Sequence, residues 1–395
     1  MNGRMIRREF LRRTAAATLA SAFAGTKPAR LAAQTASSAT RWQIHGSEGF
    51  DAIAFTGALS GGELYLQYYA AEAAEFAPKL PPDVRTELAA LRTDAEKGAF
   101  GLLWPTLALI FSAVELTTID RVIAAAAEPE RALRPSYESS RYWDEANWKW
   151  FVAAAPRLER VFAAMRDAGF AQFRSRLAGN RVNARAALLS SALEPLDVIH
   201  WQRKLTGRRF DPAIDIVLLY FSKPHGVRVQ GQRFLQSLDY SPNTTARIAA
   251  HEMLHPSVDK RSAAGKAALA HLGRDPLIMR IVKDHDPKFG YTSLDGYLDE
   301  DLCQALDQQI DEELGIARNP AERWHESDDG IHVLAAGLYG LMREDRWTDR
   351  GGSIDRWLEH AANSGRLSPH VLHPVAARVL NRPVDRLWPL AKANA

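Results

Sequence analysis

Cysteine is nearly missing from this sequence: Cys303 is the only one in 395 residues, so no disulfide can form within the chain. Cys303 stands among apolar residues of a predicted helix and reads as a small buried hydrophobe rather than a reactive thiol. Long apolar runs are also missing. The most apolar stretch, Phe100 to Ile119, is interrupted by Pro105 and Glu115 and reads as a buried helix, so no stable membrane span is expected in the mature chain. Nor is there a strong charge of one sign. The chain carries a net +3, but residues 1–36 alone carry +6 and the remainder is therefore at −3. A basic surface for nucleic acid is not supported. Internal repeats and low-complexity tracts are lacking as well. What remains, 46% apolar and 25% charged residues, is ordinary globular composition, ample for one large domain or two medium ones.

The N-terminus is the first positive feature. Arg7-Arg8-Glu9-Phe10-Leu11-Arg12 precedes a mild alanine-rich apolar run from Thr14 to Gly25, then Lys27 and Arg30. This order resembles a twin-arginine (Tat) export signal over residues 1–36. Small residues at Ala22 and Ala24, and again from Ala32 to Ala36, offer cleavage sites at two places. The resemblance implies engagement of the Tat machinery and a periplasmic or secreted protein. No cysteine lies near either place to carry a lipid anchor.

Residues 42–205 read as a helical N-terminal region, with turn signals at Ser60-Gly61-Gly62, Leu80-Pro81-Pro82, Glu128-Pro129 and Arg134-Pro135. Its aromatic cluster, Tyr142, Trp143, Trp148, Trp150 and Phe151, is expected in a core rather than on a substrate-facing wall. The character changes in residues 206–395. Ile214 to Phe221 is the strongest strand signal in the chain, and Val227 to Leu238 is a second extended segment expected to hairpin with it. Ser241-Pro242-Asn243-Thr244-Thr245 then caps a helix expected from Ala246 to His255, and helices follow to the end. The fold class is thus α+β, predominantly helical, with a small sheet.

The chemistry lies in His251-Glu252-Met253-Leu254-His255, an HExxH pattern. On a helix, positions i and i+4 share a face, so both imidazoles can reach one ion, for which Zn2+ is suited. Glu252 projects beside them, where it can act as general base toward water activated at the metal and later return the proton to a leaving amine. A metzincin would continue the pattern with glycine and a third histidine, but Val258 and Arg261 stand there. The best source of a third ligand is the acidic segment Gly296 to Asp307, read as a helix with Asp299, Glu300 and Asp301 in its first turn. Its apolar stripe, Leu298, Leu302, Cys303, Leu306 and Ile310, centres on Asp299 and leaves Glu300 on the flank with Gln304 and Asp307. Both acids stay open on that reading. For a donor that stabilises an oxyanion, His332 and Tyr339, seven apart on one helical face, are candidates, and His225 is another.

A strand pair, an HExxH helix and a later acidic helix, spread over about residues 210–315, resemble the gluzincin branch of the zincin metallopeptidases. The layout is also similar to bacterial exported proteins with a helical half before HExxH. The resemblance implies zinc held by His251, His255 and Glu300, Glu252 as general base, and a peptide or protein substrate. Pro256, directly after the second histidine, departs from the pattern and predicts that the motif helix ends or kinks at once.

Overall fold

The β-branched run after Pro212 forms β2 (Ala213–Leu219), the hub of a four-stranded sheet with β1 (Arg41–Gly46), β3 (Val227–Arg228) and β4 (Arg233–Ser237). The structure is a computed structural model, and it describes residues 39–97, 101–289 and 291–389. The expected twin-arginine signal lies outside the described residues. All the other elements among the described residues are helices, so the fold is α+β and predominantly helical. No helix among the described residues is long and apolar enough to cross a membrane.

The strands run in the order β1-β2-β4-β3. β1 is parallel to β2, with Arg41 opposite Ala213 and Gly46 opposite Leu218. β4 is also parallel to β2, with Asp215 opposite Arg233. The expected hairpin between Ile214–Phe221 and Val227–Leu238 therefore does not form. That second segment folds on itself instead: Gly231, at φ +74°, takes the left-handed conformation that turns β3 back against β4. β1 is an element the sequence reading did not place. Its side chains alternate between exposed and half-buried, too weak a pattern over six residues to stand out.

The sheet is a middle layer between two helical masses. Ile214, Ile216, Leu218 and Phe234 face a core built with the motif helix and the C-terminal helices. Val217, Leu219, Val227 and Leu235 face the core of the N-terminal helices. This alternation is the period-2 geometry of a strand buried on both faces. Trp148 and Phe151 are buried in the N-terminal core, while Tyr142, Trp143 and Trp150 pack half-buried against it. Asp51, fully buried, fastens that core to the end of β2: one oxygen accepts from the backbone of Tyr220 (2.7 Å) and Phe221 (3.1 Å), and the other receives Arg174 Nε at 2.6 Å.

Candidate metal centre

The motif helix spans Pro242–Glu252. Ser241 caps it by accepting from Thr244 N, and Pro242 fills the first position, where a missing N–H costs nothing. It ends three residues before His255, as Pro256 requires: proline cannot supply the N–H that a continuing helix would send to the Glu252 carbonyl. His255 thus sits just beyond the helix rather than on it. A tight turn, with Leu254 N donating to the His251 carbonyl at 3.0 Å, still brings both imidazoles to one side.

The acidic helix spans Leu294–Glu313 and starts earlier than Gly296, so the three acids lie in its second turn, not its first. A favourable helix-end dipole does not account for them there. Side chains at consecutive helical positions point about 100° apart, and the three carboxylates meet three different partners.

Glu300 turns toward the histidines. Its Oε2 lies 3.6 Å from His251 Nε2 and 3.4 Å from His255 Nε2, and the two nitrogens are 3.1 Å apart. Its Oε1 accepts from Gln304 Nε2 at 2.8 Å. Asp299 instead holds the far side of His255, with Oδ2 at 3.0 Å from Nδ1, and is itself fixed by Ser257 N at 2.5 Å and Ser257 Oγ at 2.8 Å. Asp301 points away to His332. Each motif histidine has its own carboxylate, because His251 Nδ1 meets Asp307 Oδ2 at 2.8 Å. Arg323 in turn pairs with both Asp307 oxygens at 2.7 and 2.9 Å and reaches Gln304 Oε1 at 2.8 Å. Cys303 is fully buried with Sγ 3.4 Å from His255 Nδ1, and burial pushes its thiol up to about 11, which keeps it protonated.

These contacts set protons as well as positions. Burial pushes the Asp307 carboxyl up, but Arg323 and then His251 outweigh it and hold it below the usual range. Asp299 is lowered likewise, burial being overcome by His255 and Ser257. An ionised carboxylate at Nδ1 accepts a hydrogen bond, so each ring donates from Nδ1. Burial disfavours charge on His255, but neighbouring Cys303 and Asp299 outweigh it and raise its pKa well above the ordinary imidazole range, so a cation bound at Nε2 would take the place of a proton there. The two Nε2 atoms and a carboxylate oxygen converge within 3.6 Å. Such a cluster is stabilised by a cation. Zinc bonds of about 2.0–2.2 Å at tetrahedral angles place ligand atoms about 3.3–3.6 Å apart, close to the triangle found here. The donor set, two neutral imidazoles and one carboxylate, also suits that ion. The residues present therefore fit zinc.

Glu252 is the last residue of the motif helix and half-buried; among the described residues no hydrogen bond or ion pair engages its carboxylate. The proposed oxyanion donors are engaged elsewhere. His332 is fully buried with Nδ1 2.6 Å from Asp301 Oδ1 and Nε2 3.1 Å from Asp328 Oδ2, so neither ring nitrogen is left for a substrate. Tyr339 donates its hydroxyl to Glu312 at 2.5 Å and stacks edge-on against Trp324. His225 meets the Tyr65 hydroxyl at 3.2 Å in the N-terminal core, where burial pushes it down to about 3. The structure thus gives all three candidates other work and brings none of them into the ligand triangle.

Sequence reasoning did not assign Asp307, Arg323 and Asp299 their parts in orienting the ligands. A signal for Asp307 was present, since 300, 304 and 307 share one helical face. Arg323 lies on a separate helix, Pro320–Glu326, and carried no such signal. No family model matches the chain, and neither a curated protein nor a solved structure matches it.

Proposed function

We propose that this chain is a zinc-dependent hydrolase, with an amide bond of a peptide or protein as its target. The observation that carries the reading is the triangle of His251 Nε2, His255 Nε2 and Glu300 Oε2 at 3.1, 3.4 and 3.6 Å, backed by a separate carboxylate on each histidine. His251, His255 and Glu300 would hold the metal, which supplies Lewis acidity to a bound carbonyl and to water. Asp307 and Asp299 keep the two imidazoles in the tautomer with Nε2 free. Glu252, adjacent to the first ligand and with no hydrogen bond or ion pair on its carboxylate among the described residues, would take the proton from the attacking water and pass it to the leaving amine. We also infer export by the Tat machinery to the periplasm or beyond, supported by Arg7-Arg8 and the apolar run that follows.

A second reading has an observation in its favour. The ligand side chains are only 4%, 12% and 1% exposed for His251, His255 and Glu300, the enclosure expected of a structural site in a non-enzymatic binding or assembly protein. One pair of variants separates the readings. Stoichiometric zinc is expected in the purified protein and in Glu252→Gln, and its loss in His251→Ala. Hydrolysis of a peptide library by wild type but not by Glu252→Gln supports the enzyme. Equal inactivity of both, with zinc retained, supports the structural site.

A further inference from the structure

Pro256 removes the backbone donor that would have continued the motif helix, and the structure shows what takes its place. Arg228, from the two-residue strand β3, sends Nη1 to the Glu252 carbonyl and to the His255 carbonyl, the latter at 3.0 Å. Nη2 reaches back to the Gly231 carbonyl at 3.4 Å in the turn that closes β3 onto β4. The arginine is only 8% exposed, and its backbone is paired with Phe234 in the sheet. One guanidinium thus spans the general-base candidate and the second ligand, and ties both to the sheet.

The residues after His255 are held in the same manner. Ser257 gives its N–H and hydroxyl to Asp299, and Arg208 Nη1 donates to the Pro256 carbonyl at 2.7 Å while Nη2 pairs with Asp355 at 2.9 Å. Of these holds, Arg228 alone acts on Glu252 and His255 together. Both bonds come from Nη1 while Nη2 holds the Gly231 carbonyl; a lysine ammonium, a point donor on a flexible stem, can meet the two motif carbonyls but lacks the planar fork that fixes all three directions.

We infer that Arg228 is the positioning residue of the metal centre: it replaces the helical hydrogen bond lost at Pro256 and so sets His255 and Glu252 at fixed places around the metal. This rests on the zinc reading above. Side-chain partners of metal ligands typically change metal affinity by about 10–100-fold when removed, and a backbone clamp that sets a ligand's place should act on the same scale.

The test measures zinc affinity by chelator competition, and the visible spectrum of the cobalt(II)-substituted protein, for wild type, Arg228→Met, Arg228→Lys and His255→Ala. Folding is followed by circular dichroism and melting. Arg228→Met is expected to stay folded, to bind zinc about 10–100-fold more weakly, and to shift its cobalt spectrum toward that of His255→Ala. Arg228→Lys is expected to fall between it and wild type. A lower melting temperature with unchanged zinc affinity and cobalt spectrum would mark a merely structural arginine and overturn the inference. Should Arg228→Met not fold, wild-type affinity in Arg228→Lys would overturn it equally. Wild type that takes up no zinc would instead bring down the zinc reading, and this inference with it.

Discussion

At the scale of single residues, the site depends on which of two adjacent acids turns inward. Asp299 and Glu300 differ by one position, yet one orients a histidine and the other faces the ligand triangle. Glu300→Gln is therefore expected to abolish stoichiometric zinc, whereas Asp299→Asn should only weaken it; metal analysis after dialysis distinguishes the two. Asp307→Asn should weaken zinc by about 10–100-fold without removing a ligand, because an amide no longer fixes the His251 tautomer. Chelator competition reads that change. The HExxH residues were legible in the sequence because their spacing is the chemistry. The third corner of the triangle was less so: the stripe centred on Asp299 pointed one residue away from Glu300. A helical wheel works when one face is wet. Here nearly every residue from Tyr297 to Asp311 is buried, so "inside" and "flank" lose their meaning.

At the scale of elements, a helix buried on all sides has to satisfy polar groups in every direction. Asp301 illustrates this, with Oδ2 accepting from Ala335 N at 2.9 Å and Oδ1 meeting His332. Burial disfavours charge on His332, but Asp301 and then Asp328 outweigh it and raise its pKa to about 10. An unfolded histidine titrates near ~6.5, so this group stabilises the fold fully below that pH and ceases to as pH rises through about 10. Wild type should lose on the order of a few kcal/mol from this source between pH 7 and pH 10. His332→Asn should be less stable at pH 7 and show a flatter dependence, read from urea midpoints across that range. The sequence reading put His332 on one helical face with Tyr339, whereas it stands just before the helix Val333–Glu344; the two acids closing on it were not legible, since one comes from 31 residues away.

At the scale of the whole molecule, the boundary near residue 206 that composition suggests is not a boundary in space. Helices Phe170–Leu193 and Val198–Thr206 give Val182, Leu189, Leu193, Ile199 and Leu205 to the core of the motif helix. Gln202 donates to the Ala249 and Ala250 carbonyls of that helix at 3.2 and 3.0 Å. A fragment of residues 206–395 would expose these apolar surfaces and lose β1. It is expected to show no cooperative melting by circular dichroism, whereas residues 39–395 should melt in one transition. The helical character and the central strand were legible because propensity and apolar period agree there. The parallel order of the strands was not, because it depends on contacts between residues far apart in sequence.

The pairing of β1 with β2 has a consequence in time. Gly46 meets Leu218 across the sheet. At a synthesis rate of about 5–20 residues per second, β1 waits roughly 10–30 s on the ribosome before its neighbour exists. For that interval the Trp42 and Ile44 side chains have no strand to lie against, and the sheet can be completed only after the entire helical segment between them has been made. The first strand of the sheet thus finds its place only when just over half of the chain has been made.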